Sequence, residues 1–534
     1  MAARLAFVLL LFISFSAFPP ALFAAATDQP DIVLIMADDM GFSDLGCYGS
    51  EIWTPNIDAL AKGGLRFTQF YNTARCCPTR AALLTGLYPH QAGVGHMMDD
   101  WQKPGYRGNL NQECVTIAEV LSTAGYQTFL CGKWHVTRHT DSAGPKFNWP
   151  LERGFQRFFG TIHGGGSYFD PVTLCRDNEF VGPTGDFYYT EAISEHAAEY
   201  IQYAARSRQP LFLYVAYTAP HWPLHARDTD IARYRGRYAM GWDELRIRRH
   251  KEMIRQGIVD AKWPLTSRDA RVLPWAEVAY KPWHQRRMEV YAAQIDNMDR
   301  GVGRILEKLE QVGRRDNALV FFLADNGGCA EEILSNWKGL HIPEKTGDGR
   351  GVMVGNNPSI MPGPEETYQS YGVPWANASN TPFRLYKHWV HEGGIATPLV
   401  VSWPAVIRQG GRLVHEPGHV VDLMATCLDA AHVSYPTIFA GRDVLPTAGE
   451  SLMPLLTGGT RRRGPIFWEH EGNRAVRDGN WKLVSRHPGS WELYDLEADR
   501  TEMNDLAGQF PAIVGQMAKM YDDWAARSNV LPWK

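Results

Sequence analysis

Basic charge, cysteine and long apolar runs are all scarce in this chain, and each shortage removes a class of protein. Fifty-four lysines and arginines stand against 58 acidic residues, a formal net charge of −4, so the basic excess of a nucleic-acid binder is missing. Eight cysteines in 534 residues do not make a disulfide scaffold. Cys47, Cys77, Cys114, Cys131, Cys175, Cys329 and Cys427 could include a bridge or two, or be buried thiols, and sequence does not pair them. Past the first residues, no segment approaches the roughly 18 apolar residues of a membrane span. No internal repeat is visible. The one low-complexity stretch, Gly/Pro/Asn-rich over Gly347 to Asn380, is too long for a simple turn.

The length exceeds the usual limit for a single compact core, which predicts a large domain and a smaller one. At the N-terminus Arg4 precedes an apolar run from Leu5 to Phe18, followed by Pro19-Pro20 and Ala24-Ala25-Ala26. This is the layout of a secretory signal over residues 1–26. The expectation is an exported protein, periplasmic or secreted, with no stable membrane insertion after cleavage.

Four apolar runs have the length and β-branched or aromatic content of buried strands. Asp31 to Met36 leads to Asp38-Asp39, and Tyr126 to Cys131 leads to Gly132-Lys133-Trp134-His135. Pro210 to Tyr217 leads to Ala219-Pro220-His221, and Asn317 to Leu323 leads to Asp325-Asn326-Gly327-Gly328. Helix-like stretches lie between them, the clearest over Arg287 to Val312. The alternation predicts an α/β fold with a large mixed, mostly parallel sheet sandwiched by helices. In such sheets ligands bind beyond the carboxyl ends of the strands. A single Asp after a strand is often only a helix cap; four strands delivering polar residues to one edge are harder to explain that way. From about residue 459 short alternating runs replace this pattern, over Ile466 to Glu469, Arg474 to Arg477, Trp481 to Val484 and Glu492 to Tyr494. They predict a small antiparallel sheet, closed by a helix over Pro511 to Ala526. The division is therefore residues 27–458 and 459–534.

Asp38, Asp39, Asp325 and Asn326 form an oxygen-only set with no His or Cys at zinc-like spacing, which suits Ca²⁺ or, with stricter geometry, Mg²⁺. The remaining signal is Cys76-Cys77-Pro78-Thr79-Arg80, opening the helix-like run Ala81-Ala82-Leu83-Leu84-Thr85-Gly86. A cysteine with Pro at +2 and Arg at +4 resembles the signature of the type I sulfatases, closest to the bacterial arylsulfatases, within the alkaline-phosphatase-like superfamily. Counted from Cys77 the spacing fails, so Cys76 is the matching residue. The resemblance runs from Asp31 to about Ala507. It includes Lys133-Trp134-His135, Ala219-Pro220-His221, Lys387 before His391-Glu392-Gly393-Gly394, Asn380-Thr381-Pro382-Phe383-Arg384 and Trp491-Glu492-Leu493-Tyr494-Asp495. Thr79 stands where many members carry Ser.

The resemblance implies that a maturation enzyme oxidises Cys76 to Cα-formylglycine (3-oxoalanine), whose hydrate attacks the sulfur of a sulfate ester. It implies one calcium held by Asp38, Asp39, Asp325 and Asn326 with residue 76 completing the contacts. Arg80, Lys133, His135, His221 and Lys387 are then expected around the sulfate, as fixed positive donors of the kind that stabilise an oxyanion. His221 and Lys387 are the candidates for protonating the leaving oxygen, and His135 for accepting a proton afterwards; His388 or His391 could compete for the role of Lys387. An encoded serine would need a second attack on sulfur, whereas the hydrate releases sulfate by breaking a C–O bond. The substrate is open between an aryl sulfate and a sulfated saccharide. Trp101, Tyr106, Tyr168, Phe169, Trp222 and Trp242 are candidates to stack on either ring, and the Gly-rich segment His163 to Asp170 is a candidate pocket wall. The stretch Arg233 to Leu265 resembles an insert of the arylsulfatase branch, with a basic helix over Glu244 to Arg255 expected to face solvent or to line the entrance for an anionic substrate. The rival readings are a phosphomonoester or phosphonate hydrolase and a non-catalytic sulfated-glycan binder. The first is disfavoured by Cys76 and by the lack of extra His ligands after Asp325-Asn326; the second should have lost a core group.

Overall fold

A computed structural model describes residues 29–533; the expected signal segment, residues 1–26, lies outside them. No helix among the described residues is long and apolar enough to cross a membrane.

An 11-stranded sheet organises the chain. Its strands are β1 (Asp31–Ala37), β2 (Leu65–Tyr71), β3 (Gln127–Gly132), β4 (Arg157–Thr161), β5 (Leu174–Arg176), β6 (Glu179–Phe180), β7 (Leu211–Ala216), β8 (Ala318–Ala324), β9 (Ala396–Ser402), β10 (Arg412–Val414) and β11 (Gly418–His419). The order is β10-β2-β9-β8-β1-β7-β3-β4-β5-β6, with β11 also on β2. The centre, β8-β1-β7-β3-β4, is wholly parallel, and antiparallel pairs enter through β9 and at the β4-β5-β6 edge. All seven residues of β1 are buried. Val33, Ile35 and Ala37 pack into one core while Ile32, Leu34 and Met36 pack into the other. Two covered faces explain why these strands read as unbroken apolar runs, since a period of two carries no polar side. The Lys281–Gln311 helix covers the first face and the Cys76–Thr85 helix belongs to the second.

Register makes the central strands end level. Ala37 lies opposite Ala324, Met36 opposite Ala216, and Ala216 opposite Gly132. Gly132 has φ of 108° and sits so close to β7 that a Cβ would stand 1.9 Å from the Ala216 carbonyl oxygen. Only glycine fits there, and the chain leaves the sheet immediately after it with Lys133.

The C-terminal sheet runs β12 (Ile466–His470), β13 (Asn473–Asp478), β14 (Trp481–Ser485) and β15 (Glu492–Asp495), all antiparallel. Ile466, Trp468, Ala475, Val484 and Tyr494 join the main core, while Phe467, Val476, Leu483 and Leu493 face the Pro511–Arg527 helix through Met517, Tyr521 and Trp524. The sheet is thus sandwiched, and the helix supplies its second cover. The residue-458 division falls between the short Met453–Leu456 helix and β12.

One local expectation changes and one open alternative is decided. The basic helix, observed over Gly241–Arg255, does not turn all its arginines to water: Arg249 is buried, with Nη1 2.6 Å from Asp44 and Nε 2.9 Å from Glu51. All eight cysteines are free and buried.

His225 illustrates how the loops above the sheet are held. Its Nε2 donates to the Thr367 carbonyl at 2.7 Å and its Nδ1 accepts from the Tyr168 amide at 3.4 Å, which locks a neutral ring. Burial pushes its pKa down to about 4. The unfolded chain binds a proton near pH 6.5 that the folded chain refuses, so this contribution is whole above about pH 6.5 and is lost as pH falls toward 4, by at most about 1.4 kcal/mol per pH unit. Urea unfolding between about pH 7 and pH 5 is expected to show a shallower stability loss in His225→Gln than in the unsubstituted protein. Equal slopes would refute the assignment.

Candidate active site

Beyond the level ends of β1, β3, β7 and β8, the backbone ties the emerging loops together. Asp38 N–H donates to Ala219 O at 3.0 Å, Lys133 N–H to Ala216 O at 2.8 Å and Asp325 N–H to Ala37 O at 3.1 Å. Distant segments are therefore in place before any side chain is considered.

Cys76 opens the Cys76–Thr85 helix, whose ten residues are all buried. Pro78 lies in the first turn, where a missing N–H costs nothing, and the helix ends at Gly86 in the left-handed conformation. The Thr79 hydroxyl accepts from the Thr73 amide at 3.0 Å, a bond that a serine hydroxyl could also make. The helix N-terminus carries partial positive charge and favours an anion at residue 76. Beside it, Cys77 Sγ lies 3.2 Å from His135 Nε2. A neighbouring thiol hydrogen bond, together with Lys133 and His135, holds the Cys76 thiol well below its ordinary pKa against the opposing effect of burial.

Three buried carboxylates are matched by three buried cations. Arg80 donates to Asp325 Oδ2 through Nη2 at 2.7 Å and Nε at 3.1 Å. Lys133 Nζ lies 2.6 Å from Asp38 Oδ2, and Lys387 Nζ lies 2.9 Å from Asp39 Oδ2. Burial opposes the charge on both lysines, yet the adjoining carboxylates hold their pKa values above the ordinary one. Burial and the Asp38 charge push Asp325 up to about 8. Asn326 Nδ2 donates to Asp39 Oδ1 at 2.6 Å, which turns its own oxygen elsewhere.

That leaves two orphans. Asp38 Oδ1 and Asn326 Oδ1 are buried without a hydrogen-bond partner among the described residues. Unpaired buried oxygens are costly, and two of them beside Asp39 and Asp325 fit a hard, oxygen-seeking cation.

Above this floor opens a cavity of about 450 Å³, lined by Cys76, His135, His221 and Lys387 among others. Arg80 and Lys133 do not line it. The resemblance implied a place around the sulfate; in this structure their side chains pair with Asp325 and Asp38, and the Cys76 charge acts on both. His163 and Gly164 do line it, as expected of that segment, and Gly164 presses on His135, where a Cβ would stand 2.0 Å from the ring. Of the candidate aromatics, Trp222 lines the cavity; Tyr168 and Trp242 are packed in the core, and Trp101 stacks on Tyr106 at 5.0 Å.

Several cavity residues carried no signal in the sequence. Arg75 pairs with Glu331 at 2.9 Å, and Trp222 Nε1 donates to the same carboxylate at 2.8 Å. Burial opposes ionisation of Glu331, but Lys387 and Arg75 bring its pKa well below the carboxylate range. Its place in the loop after β8, just past Asp325-Asn326, was the one available hint. Trp337 and His341 come from a long segment without periodicity and had none.

His221 Nδ1 faces the Trp222 carbonyl at 2.5 Å and must carry the proton there, since a carbonyl only accepts. Nε2 is then a lone pair, 3.4 Å from Lys387 Nζ. Burial pushes His221 down to about 4 and His135 to about 3, so both rings are neutral and Lys387 is the protonated group beside them.

A family profile described as Sulfatase matches residues 30–433, and one described as N-sulphoglucosamine sulphohydrolase, C-terminal, matches residues 383–523. The chain belongs to the sulfatase family. It is 33% identical over 544 residues to an uncharacterized sulfatase of Schizosaccharomyces pombe, covering 95% of each chain. It is 35% identical over 467 residues to an arylsulfatase of Klebsiella aerogenes, covering 82% of this chain and 95% of that one. The crystal structure of Ps i-CgsB in complex with k-i-k-neocarrahexaose shares the fold, with a TM-score of 0.67 at 24% identity over 95% of this chain and 94% of that one. The sulfatase is thus a sulfuric ester hydrolase.

Arg80→Met leaves the Asp325 and Asp38 carboxylates facing each other in a dry site. Removing one partner of a buried ion pair costs about 3–5 kcal/mol, so chelator-treated Arg80→Met is expected to lose that much stability in urea unfolding. A loss below about 1 kcal/mol would show that Arg80 is not their main compensation.

Proposed function

We propose that this sulfatase is an exported enzyme of arylsulfatase type, with residues 1–26 as its signal, that hydrolyses an aryl sulfate to a phenol and inorganic sulfate. The observation that carries the reading is that Cys76, at a helix N-terminus, lines one cavity with Lys387 and lies close enough to Asp38, Asp39 and Asp325 for its charge to act on them, with Lys387 paired to Asp39. Formylglycine made from Cys76 by a maturation enzyme supplies the nucleophile toward sulfur. Calcium, held by Asp38, Asp39, Asp325, Asn326 and residue 76, supplies neutralisation of the sulfate oxygens.

The chain's own groups divide the remaining work. Arg80 and Lys133 oppose the upward push of burial on Asp325 and Asp38, favouring the ionised form in which these carboxylates serve as ligands. Lys387 presents positive charge to the substrate and carries the proton for the leaving oxygen, with the His221 lone pair orienting its ammonium. His135, neutral and beside residue 76, accepts a proton from that centre. Trp222 and Trp337, whose rings lie 5.9 Å apart at 63°, wall the cavity against water and suit a planar ring.

Two expected outcomes test this. Intact-mass or peptide analysis of active enzyme, produced with a maturation enzyme, is expected to find the aldehyde or its hydrate at residue 76, and Cys76→Ala to reduce turnover of 4-nitrophenyl sulfate to background with the fold retained. An unmodified thiol in fully active protein would overturn the nucleophile. Lys387→Met is expected to lower kcat by about 10²–10⁴-fold on esters of weakly acidic alcohols and by far less on 4-nitrophenyl sulfate, whose leaving group needs no proton. An equal loss on both would reassign Lys387 to charge stabilisation alone.

A glycan sulfatase of the same mechanism is the second reading, favoured by the fold shared with a protein solved with k-i-k-neocarrahexaose. Comparing kcat/KM for 4-nitrophenyl sulfate with that for sulfated disaccharides decides between the two. A rate on 4-nitrophenyl phosphate exceeding both would favour a phosphomonoester hydrolase.

A further inference from the structure

A second cluster of ligating side chains lies outside the sulfate cavity, where the β12–β13 turn reaches the loop that carries Lys387. Glu471 is its centre. Its Oε2 lies 2.8 Å from His388 Nδ1, and its Oε1 lies 2.8 Å from His96 Nε2 and 3.7 Å from His470 Nε2. One ligand atom from each of His388, His470 and Glu471 falls within 4.8 Å of the others.

His470 is the group that does not fit a simple hydrogen-bond network. It is completely buried, and neither ring nitrogen has a hydrogen-bond partner among the described residues. A buried polar group left unpaired costs about 1–3 kcal/mol, and a core position facing no partner would be better filled by an apolar ring. The lone pair of His470 instead points the protein toward an electron-pair acceptor. Its backbone neighbour Glu471 supplies the negative charge, and His388 Nδ1 completes three donors of the right kind.

We propose that His388, His470 and Glu471 form a second cation site, for a divalent transition ion of the zinc class, with His96 hydrogen-bonded to the ligating carboxylate. The donor chemistry separates it from the oxygen-only set under the sulfate cavity. Two imidazoles and a carboxylate suit zinc-like ions, whereas carboxylates and amides alone suit calcium. Bonds of about 2.0–2.1 Å in a tetrahedral site put ligand atoms about 3.3 Å apart, so the cluster needs only small side-chain rotations. His96 fills the role of an outer partner that aims the carboxylate and raises its basicity. Arg75, whose charge also acts on this cluster, is already matched by Glu331. A fourth position would open on a cleft of about 330 Å³ that Arg75, Glu331 and Lys387 also line.

The placement gives the ion a consequence. His388 follows Lys387 directly and has φ of 89°, a strained conformation for a residue with a side chain. A bound ion would pin that backbone to the C-terminal sheet and hold Lys387 against Asp39.

The test is titration of chelator-treated, calcium-reloaded protein with Co²⁺, followed by its visible d–d absorption, and competition by Zn²⁺. One equivalent with the intense bands of a four- or five-coordinate ion is expected in the unsubstituted protein and in Cys76→Ala. His388→Ala and Glu471→Gln are expected to weaken binding by at least about 100-fold, and His96→Gln by about 10–100-fold. The His388 side chain is partly exposed, so its removal is tolerated by the fold, which circular dichroism and Tm verify. Binding that survives His388→Ala but not Cys76→Ala would place the ion at the thiols and overturn the proposal. So would the absence of stoichiometric binding in the unsubstituted protein.

Discussion

Everything in this site follows from the cost of burying charge. Asp38, Asp39 and Asp325 sit where water does not reach, and each isolated carboxylate would cost several kcal/mol. Arg80, Lys133 and Lys387 offset them one for one. The match is incomplete in atoms though complete in charge, because Asp38 Oδ1 and Asn326 Oδ1 are left over. Those two oxygens are where the architecture asks for a hard cation. The same dryness neutralises His135 and His221 and leaves Lys387 as the group that can hold a proton at the cavity floor.

Such a balance demands positional accuracy that loops alone do not provide. The parallel centre of the sheet supplies it. Four strands buried on both faces end in register, and the backbone bonds from Asp38, Lys133 and Asp325 into neighbouring strand ends carry that register outward. Gly132 allows β3 to end flush with β7, so that Lys133 reaches Asp38. Asp39 and His135 adopt left-handed backbone conformations, φ 63° and 53°, a strain of the kind that persists where surrounding structure over-determines a site.

The C-terminal sheet participates in this accuracy. Lys482 on β14 bridges Glu392 at 2.9 Å and Glu502 at 2.7 Å, and Arg500 reaches Glu392 at 2.9 Å, all fully buried. Glu392 lies five residues beyond Lys387, so this second buried ionic cluster anchors the loop that aims it. The Glu471 cluster grips the same loop from its other side. The small sheet, held between the main core and the Pro511–Arg527 helix, acts as a clamp on the segment that carries Lys387.

The sequence by itself determined the elements and the chemistry they carry. Apolar runs of strand length at residues 31, 126, 210 and 317, the spacing around Cys76 and the oxygen-only Asp/Asn set are written in covalent order, and periodicity and spacing are local properties. The short C-terminal strands and the closing helix were legible for the same reason. What only the tertiary structure decided was solvation and partnership. Arg80 and Lys133 belong beneath the cavity because distant carboxylates lie there, and Arg249 leaves solvent for Asp44 and Glu51. Glu331 and His341 join the cavity from segments without pattern, and His96, His388, His470 and Glu471 meet across nearly 380 residues of chain. Desolvation and long-range pairing depend on what packs alongside, and no local stretch of residues encodes its own neighbours.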